Sequence, residues 1–305
     1  MRQILVVHYS QTGQLSRLAR SVCAPLEQAD GVRVDYRELR PAQPFPFPWP
    51  FLGFFRIFPE TVLMRPQPLL SLQVDVGKRY DLVILAYQVW FLSPSLPMTS
   101  FLASPEAATL LRDTPVVTLI GCRNMWLMAQ EKVKMRLAQL GARLVDNIAL
   151  TDACGTAASF LATPLWLFTG RQKPYAWLPR AGIEEGGIVA ASRFGQAMAQ
   201  RLQRDSLPIT EPMLKGLGAV RIDEKLIASE KVGNRSFQLW SRLLAALGPQ
   251  QSVRRGVGLV FYIVFLLCLI ITVVPLGALL KKLLAPLSRE RTLREKAYFA
   301  GPSGE

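Results

Sequence analysis

Three short stretches hold residue types that could bind an anion, stack on a flat ring and set a cation beside it. The first is Tyr9-Ser10-Gln11-Thr12-Gly13-Gln14, which follows the β-branched apolar run at residues 4–7 and precedes Leu15, Leu18, Ala19 and Val22 at helical spacing. A buried strand, a turn with hydroxyls and a Gly, and a helix start make a phosphate cradle. Unpaired backbone N–H groups and the positive end of the helix dipole attract an anion there. The turn lacks Gly-Lys-Ser/Thr, so it is not a Walker loop, and its single Gly excludes G-x-G-x-x-G. The same residues could also form an ordinary strand-to-helix turn. The second stretch, Gln88-Val89-Trp90-Phe91, follows an apolar run at 81–87 and offers aromatic faces for stacking and backbone N–H groups for a ring edge. The third, Gly121-Cys122-Arg123-Asn124-Met125-Trp126, follows 115–120 and carries a guanidinium and an amide able to stabilise negative charge.

These stretches do chemistry only if the fold brings them together. Residues 4–7, 32–38, 81–87, 115–120 and 143–150 read as strands, separated by helical patterns such as 126–140, which stops at Gly141. Strands alternating with helices imply a parallel sheet covered on both faces. Five such strands without G-x-G-x-x-G favour the order 2-1-3-4-5, with a ligand at the C-terminal ends of strands one, three and four. Those ends carry the three stretches. Residues 41–70 interrupt the alternation. Pro at 41, 44, 46, 48 and 50 forbids regular helix up to that point, after which Phe51, Phe54, Phe55 and Phe58 share a helical face. Phe45, Phe47 and Trp49 lie in an extended context that is hard to bury, which suggests a lid over an apolar substrate or a bilayer contact. Residues 152–186 read as less regular, and 187–202 as a helix closing the domain.

The expected organisation is therefore an α/β domain at 1–205, a connector at 206–252 with an amphipathic helix at 236–247, a membrane segment within 253–285, and a basic tail at 286–305. Residues 256–280 hold 25 residues without a charge, between Arg254-Arg255 and Lys281-Lys282. About 20 apolar residues span a bilayer core. Both flanks are basic, so the positive-inside rule leaves the orientation open, and Pro275 allows a kink or a re-entrant path. Residues 231–305 contribute +8 of the net charge of +14, which suits anionic lipid headgroups. This basic charge flanks a membrane segment and is not interleaved with aromatics, which argues against nucleic acid. Four cysteines without C-x-x-C spacing suggest neither a disulfide framework nor a zinc site. His8, the only histidine, excludes a His-rich metal centre and reads as a structural residue held by hydrogen bonds. The first apolar run is four residues long and leads into the fold, so no leader is expected. The catalytic part is expected at the cytoplasmic face of the inner membrane.

Three converging loops of this composition point to FMN: phosphate at Ser10, Gln11, Thr12, Gly13 and Gln14, and ring contacts from Gln88, Val89, Trp90, Phe91, Gly121, Cys122, Arg123 and Asn124. The first loop, the spacing Tyr87-x-x-Trp90-Phe91-x-x-Pro94-x-x-Pro97 and the 121–126 turn resemble flavodoxin-like NAD(P)H:FMN oxidoreductases over residues 2–205. Gln88 stands where those proteins often carry Pro, and Leu15 where they often carry a hydroxyl. The opening 8–15, the Pro/Phe-rich insert, Arg235-Ser236-Phe237-Gln238-Leu239-Trp240 and the ending Tyr298-Phe299-x-x-Pro302-Ser303-Gly304 resemble the dialkylresorcinol condensing enzymes of aryl-polyene and flexirubin-type pigment pathways. That resemblance implies FMN-dependent oxidative aromatisation of a 2,5-dialkylcyclohexane-1,3-dione. Arg123 would stabilise the enolate or the reduced ring, and Tyr87 or Tyr9 would relay a proton. It also implies a ketosynthase partner, a quinone as electron acceptor and an apolar substrate held near membrane lipid, and is compatible with a homo-oligomer. Two rival expectations are a membrane-tethered NAD(P)H:quinone oxidoreductase and a cofactor-less scaffold for the ketosynthase.

Overall fold

A computed structural model describes residues 1–204 and 209–304, with the side chains of 156–157 and 273–288 outside the description. The strands are β1 (Arg2–His8), β2 (Val32–Glu38), β3 (Leu82–Trp90), the two-residue β4 (Ser93–Pro94), β5 (Pro115–Cys122) and β6 (Arg143–Thr151). The helices of the α/β part are α1 (Gln14–Glu27), α2 (Phe51–Arg56), α3 (Phe58–Val62), α4 (Leu96–Leu102), α5 (Pro105–Leu111), α6 (Leu127–Gln139), α7 (Thr156–Thr169), α8 (Glu185–Ala190) and α9 (Ser192–Arg204). Two longer helices follow, α10 (Glu224–Ala246) and α11 (Val253–Ala300).

The sheet runs β2-β1-β3-β5-β6 with every pair parallel, and β4 folds back antiparallel on β3. Setting β4 aside, this is the expected 2-1-3-4-5 order of a flavodoxin-like fold. The register explains why the central strands read as uninterrupted apolar runs. Ile4, Val6, Leu82 and Ile84 pack on the face covered by α1, α8 and α9, while Leu5, Val7, Val83 and Leu85 pack on the opposite face with residues of α4, α5 and α6. A strand covered on both sides admits a polar residue only where that residue is hydrogen-bonded inside, as Thr118 of β5 is to Asn147. α1 and α9 approach backbone to backbone at Gly195, where an added Cβ would lie 1.8 Å from the Val22 carbonyl oxygen.

Several expectations are corrected. β3 continues through Gln88, Val89 and Trp90, because the hairpin to β4 extends it past the point where the parallel ladder ends. The aromatic insert forms two short helices and not one, since the helix breaks at Ile57, ahead of Pro59. Trp49, expected to resist burial, is 4% exposed and sits in the main core. The segment at 152–186 contains α7, fourteen residues with Pro164 inside. The closing helix breaks at Ala191, and the amphipathic stretch at 236–247 is the second half of the 23-residue α10. The boundary expected at 205/206 lies outside the described residues.

α11 carries the apolar run, and its window Val253–Thr272, of mean hydropathy 2.3, is long and apolar enough to cross a membrane. The side chains of the rest of that run, including Pro275, and of Lys281 and Lys282, are outside the described residues. The first turns of α11 are fixed to the domain. Arg255 forms a two-pronged ion pair with Glu60 of α3 (2.8 and 2.5 Å) and donates to the Arg56 carbonyl, and Tyr262 stacks on Phe58 at 4.4 Å. Its far end is fixed as well. Tyr298 donates to Glu131 of α6 at 2.6 Å, Phe299 enters the main core, and Ser303 donates to Asp146 of β6 at 2.8 Å.

Candidate functional site

The C-terminal ends of β1, β3 and β5 border one cavity of about 1770 Å³ with predominantly apolar walls. Loop one is set by its own hydroxyl: Ser10 Oγ accepts the Leu15 N–H at 3.1 Å, and Gly13, at φ 76°, turns the chain into α1. A left-handed position of that kind suits Gly because it has no Cβ. Gln11 Nε2 donates to the Pro46 carbonyl at 2.9 Å, which ties the loop to the aromatic insert. Gln11, Thr12, Gln14 and Leu15 border the cavity, whereas Ser10 and Gly13 stand behind them. The Gln14 side chain is committed to structure. Its amide donates to the Ile183 carbonyl (3.1 Å) and accepts the Ile183 N–H (3.0 Å), holding 182–183 against the loop.

Loop two is the β3–β4 hairpin. Its turn residues Phe91 and Leu92 both adopt positive φ, 49° and 56°, and border the cavity. Two-residue hairpins demand that conformation, but bulky side chains pay for it, about 1–3 kcal/mol each. Trp90 is 6% exposed and packs edge-on against Tyr9, Phe45 and Trp49 at 5.2–6.0 Å between ring centres. Phe91 stacks on Phe54 at 4.6 Å. Gln88, Val89, Trp90 and Phe91 therefore all reach the cavity, with both rings already braced by protein aromatics.

Loop three supplies the polar groups. Gly121 lies so close to the first turn of α1 that an added Cβ would come within 3.0 Å of Leu15 Cδ1. Cys122, Arg123, Asn124 and Met125 follow it along the wall, with Met125 at φ 55°. The Arg123 guanidinium lies 4.1 Å from the centre of the Phe160 ring. Burial pushes its pKa below the ordinary value, and Asp152, the strongest opposing influence, pushes back. Burial also raises the pKa of the Cys122 thiol. Arg123 Nε, Asn124 Oδ1 and Gln88 Oε1 are buried without a hydrogen-bond partner among the described residues. Buried polar atoms are almost always paired. Three orphans on two strand-end loops beside an apolar cavity fit a polar ring edge lying between them.

Residue types outside the three loops complete the enclosure. Phe160, Trp166 and Phe168 of α7, Phe51, Phe54 and Phe55 of the insert, and Ile263, Leu266 and Ile270 of α11 form most of the apolar wall. Asp152, at the end of β6, accepts from the Cys154 N–H (2.8 Å), the Gly182 N–H (3.0 Å) and the Thr163 hydroxyl (3.1 Å), so it anchors α7 and 182–183 over the loops. Sequence reasoning missed this residue. Its one signal was an acid directly after the fifth strand.

Of the three residues expected to be catalytic, Arg123 borders the cavity and the two tyrosines do not. Tyr87 is fully buried and donates to Gln130 Oε1 at 2.5 Å. Gln130 Nε2 donates to Thr118, and Thr118 to Asn147, so this hydroxyl starts an internal hydrogen-bond chain. Tyr9 is enclosed by Phe45 and Trp90, and burial raises its pKa. Proton relay by either is corrected on these grounds. His8 is buried with its pKa lowered by desolvation; a hydrogen bond joins it to the Arg37 backbone, while its Nδ1 has no partner among the described residues.

No protein-family model matches the sequence, and no curated protein matches it. Solved structures similar in chain path include a flavoprotein in complex with FMN from Lactobacillus acidophilus NCFM, 13% identical, covering 49% of this chain and 93% of that one at a TM-score of 0.40. The flavodoxin, WrbA-like protein from Agrobacterium tumefaciens is 12% identical and covers 67% of this chain and 99% of its own at 0.36. Flavodoxin 1 from Bacillus cereus is also 12% identical, covering 67% and 99% at 0.35.

Proposed function

We propose that the cavity holds FMN at the strand ends and an apolar substrate beside it, and that the chain is a flavin-dependent oxidoreductase. The observation that carries this reading is the continuity of one cavity from the strand-end loops to the apolar face of α11. Its volume of about 1770 Å³ exceeds the roughly 300–1,000 Å³ that one small ligand fills. Backbone N–H groups around Gln11 and Thr12 would hold the phosphate. Gln88, Val89 and the 121–124 turn would hold the ring edge, where the orphaned polar atoms lie.

The substrate class follows from the walls and from the resemblance of the sequence to the dialkylresorcinol condensing enzymes. A 2,5-dialkylcyclohexane-1,3-dione becomes a dialkylresorcinol by losing two protons and two electrons, the electron pair leaving with one of the hydrogens as hydride. FMN, when bound, supplies the acceptor for that hydride. The chain supplies the rest. Arg123, whose guanidinium lies on the cavity wall, stabilises the negative charge of the enolate as its proton departs. The phenylalanines and α11 exclude water and receive the alkyl chains. A ketosynthase would deliver the dione and a quinone would reoxidise the cofactor, at the cytoplasmic face of the membrane.

The test is an absorption spectrum of detergent-purified protein without air. A yellow protein bleached by a 2,5-dialkylcyclohexane-1,3-dione alone is the expected result. Bleaching by NADPH and not by the dione would make the chain an NAD(P)H:quinone oxidoreductase. Colourless protein that takes up no FMN would leave only a scaffold.

A further inference from the structure

We propose that the apolar part of α11 is a one-leaflet membrane anchor, leaving from and returning to the same side of the domain, with the cavity mouth opening onto the acyl chains beside it. The inference stands whatever the cavity binds. A straight helix of 48 residues would be about 72 Å long. The two ends of α11 are nevertheless fixed to one body. Its start is held by Glu60 and Phe58, while Lys231 of α10 pairs with Glu295 at 2.9 Å and Ser303 reaches Asp146. The chain that departs along α10 therefore comes back to α10.

A true span forbids this. Crossing takes about 20 apolar residues, and returning takes as many again. Residues 281–295 contain Lys281, Lys282, Arg289, Glu290, Arg291, Arg294 and Glu295, which cannot supply a second crossing. A shallow excursion needs no second crossing. The outward face of α11 suits lipid: Val257, Val260, Phe261, Val264, Leu267 and Ile271 are each 50–71% exposed. Val232, Leu239, Leu243 and Leu247, at spacings of seven, four and four, give α10 and its cap an exposed apolar stripe. Exposed Arg254, Arg289, Arg291 and Arg294 flank the apolar run and suit anionic headgroups. Phe51, Phe160 and Leu267 both line the cavity and are at least 37% exposed, so the cavity rim is continuous with the lipid-facing surface.

The experiment uses the full chain, reconstituted into vesicles of phosphatidylcholine with phosphatidylglycerol. In a Cys122→Ser, Cys154→Ser, Cys268→Ser background, which keeps only the fully buried Cys23, cysteines introduced one at a time at Arg79→Cys, Arg254→Cys and Arg291→Cys are labelled with a membrane-impermeant maleimide before and after the vesicles are opened with detergent. Equal protection at all three positions in each preparation is expected. Opposite protection of Arg291→Cys and Arg79→Cys would establish a span and overturn the proposal. With Cys268 retained, vesicles should reduce its labelling at least fivefold, and unchanged labelling would also overturn it. Phe261→Lys with Ile271→Lys, both on the outward face, should cut vesicle flotation at least tenfold at unchanged thermal stability. A lipid-independent dimer held by this face, with no flotation, would assign the surface to a second copy of the chain and overturn the lipid reading.

Discussion

Replacing Glu230 by Gln should stabilise the protein above neutral pH and leave it nearly unchanged in acid. Glu230 is on α10, fully buried, and accepts the Met128 N–H at 2.7 Å at the start of α6, directly after the Gly121–Trp126 turn. Its second oxygen has no partner among the described residues, and burial, opposed by the Met128 and Leu127 N–H groups, lifts its pKa from 4.5 to about 7. Between those values the folded state binds more protons than the unfolded chain, so stability falls as pH rises from about 4.5 through 7 and then levels. Each pKa unit corresponds to about 1.4 kcal/mol, which makes the loss about 3 kcal/mol by pH 8. Glutamine keeps an acceptor for Met128 and cannot ionise. The assay is thermal unfolding of both proteins in one detergent from pH 4.5 to 8, followed by tryptophan fluorescence. Other titrating groups cancel in the comparison. The difference in Tm should be small at pH 4.5 and open to roughly 6–12 °C in favour of the variant at pH 8. A difference that does not change with pH, or a variant less stable at pH 8, would refute the assignment of a strained, buried carboxylate at this helix start.

Four further outcomes follow from the geometry. Arg123→Ala should weaken FMN binding at least tenfold in a fluorescence titration at unchanged Tm, and equal affinity would remove Arg123 from the site. Arg255→Ala leaves the largely enclosed Glu60 without its partner and should cost about 2–4 kcal/mol in chemical unfolding; a cost below 1 kcal/mol would mean that the start of α11 is not held by this pair. Gly195→Ala forces a Cβ against the Val22 carbonyl, and separating α1 from α9 should cost about 1–3 kcal/mol, seen as a lower Tm. Gln14→Ala cuts both hydrogen bonds to Ile183, so proteolysis within 170–184 should accelerate while the sheet core keeps its amide protection.

Much of this was legible in the residues themselves. The doubly wound sheet and its order follow from apolar runs at regular intervals, because a strand buried on both faces is mostly apolar, as Ile4 to Val7 and Leu82 to Ala86 show. The place of the candidate cavity follows too, since that strand order makes the ends of strands one, three and four converge. The apolar stretch of α11 was plain from its lack of charge over 25 residues. What tertiary structure decided is how each side chain is used, because that depends on neighbours distant in sequence. Tyr87 and Gln14 carry the right functional groups at the right strand ends, yet Gln130 lies 43 residues from the one and Ile183 169 from the other, and each commits its partner to holding the fold. Asp152 became important only when α7 and Gly182 came to it. The path of α11 is of the same kind. Hydropathy measures whether a segment tolerates lipid, whereas direction is set by what holds its ends, here Glu60 at one and Asp146 at the other.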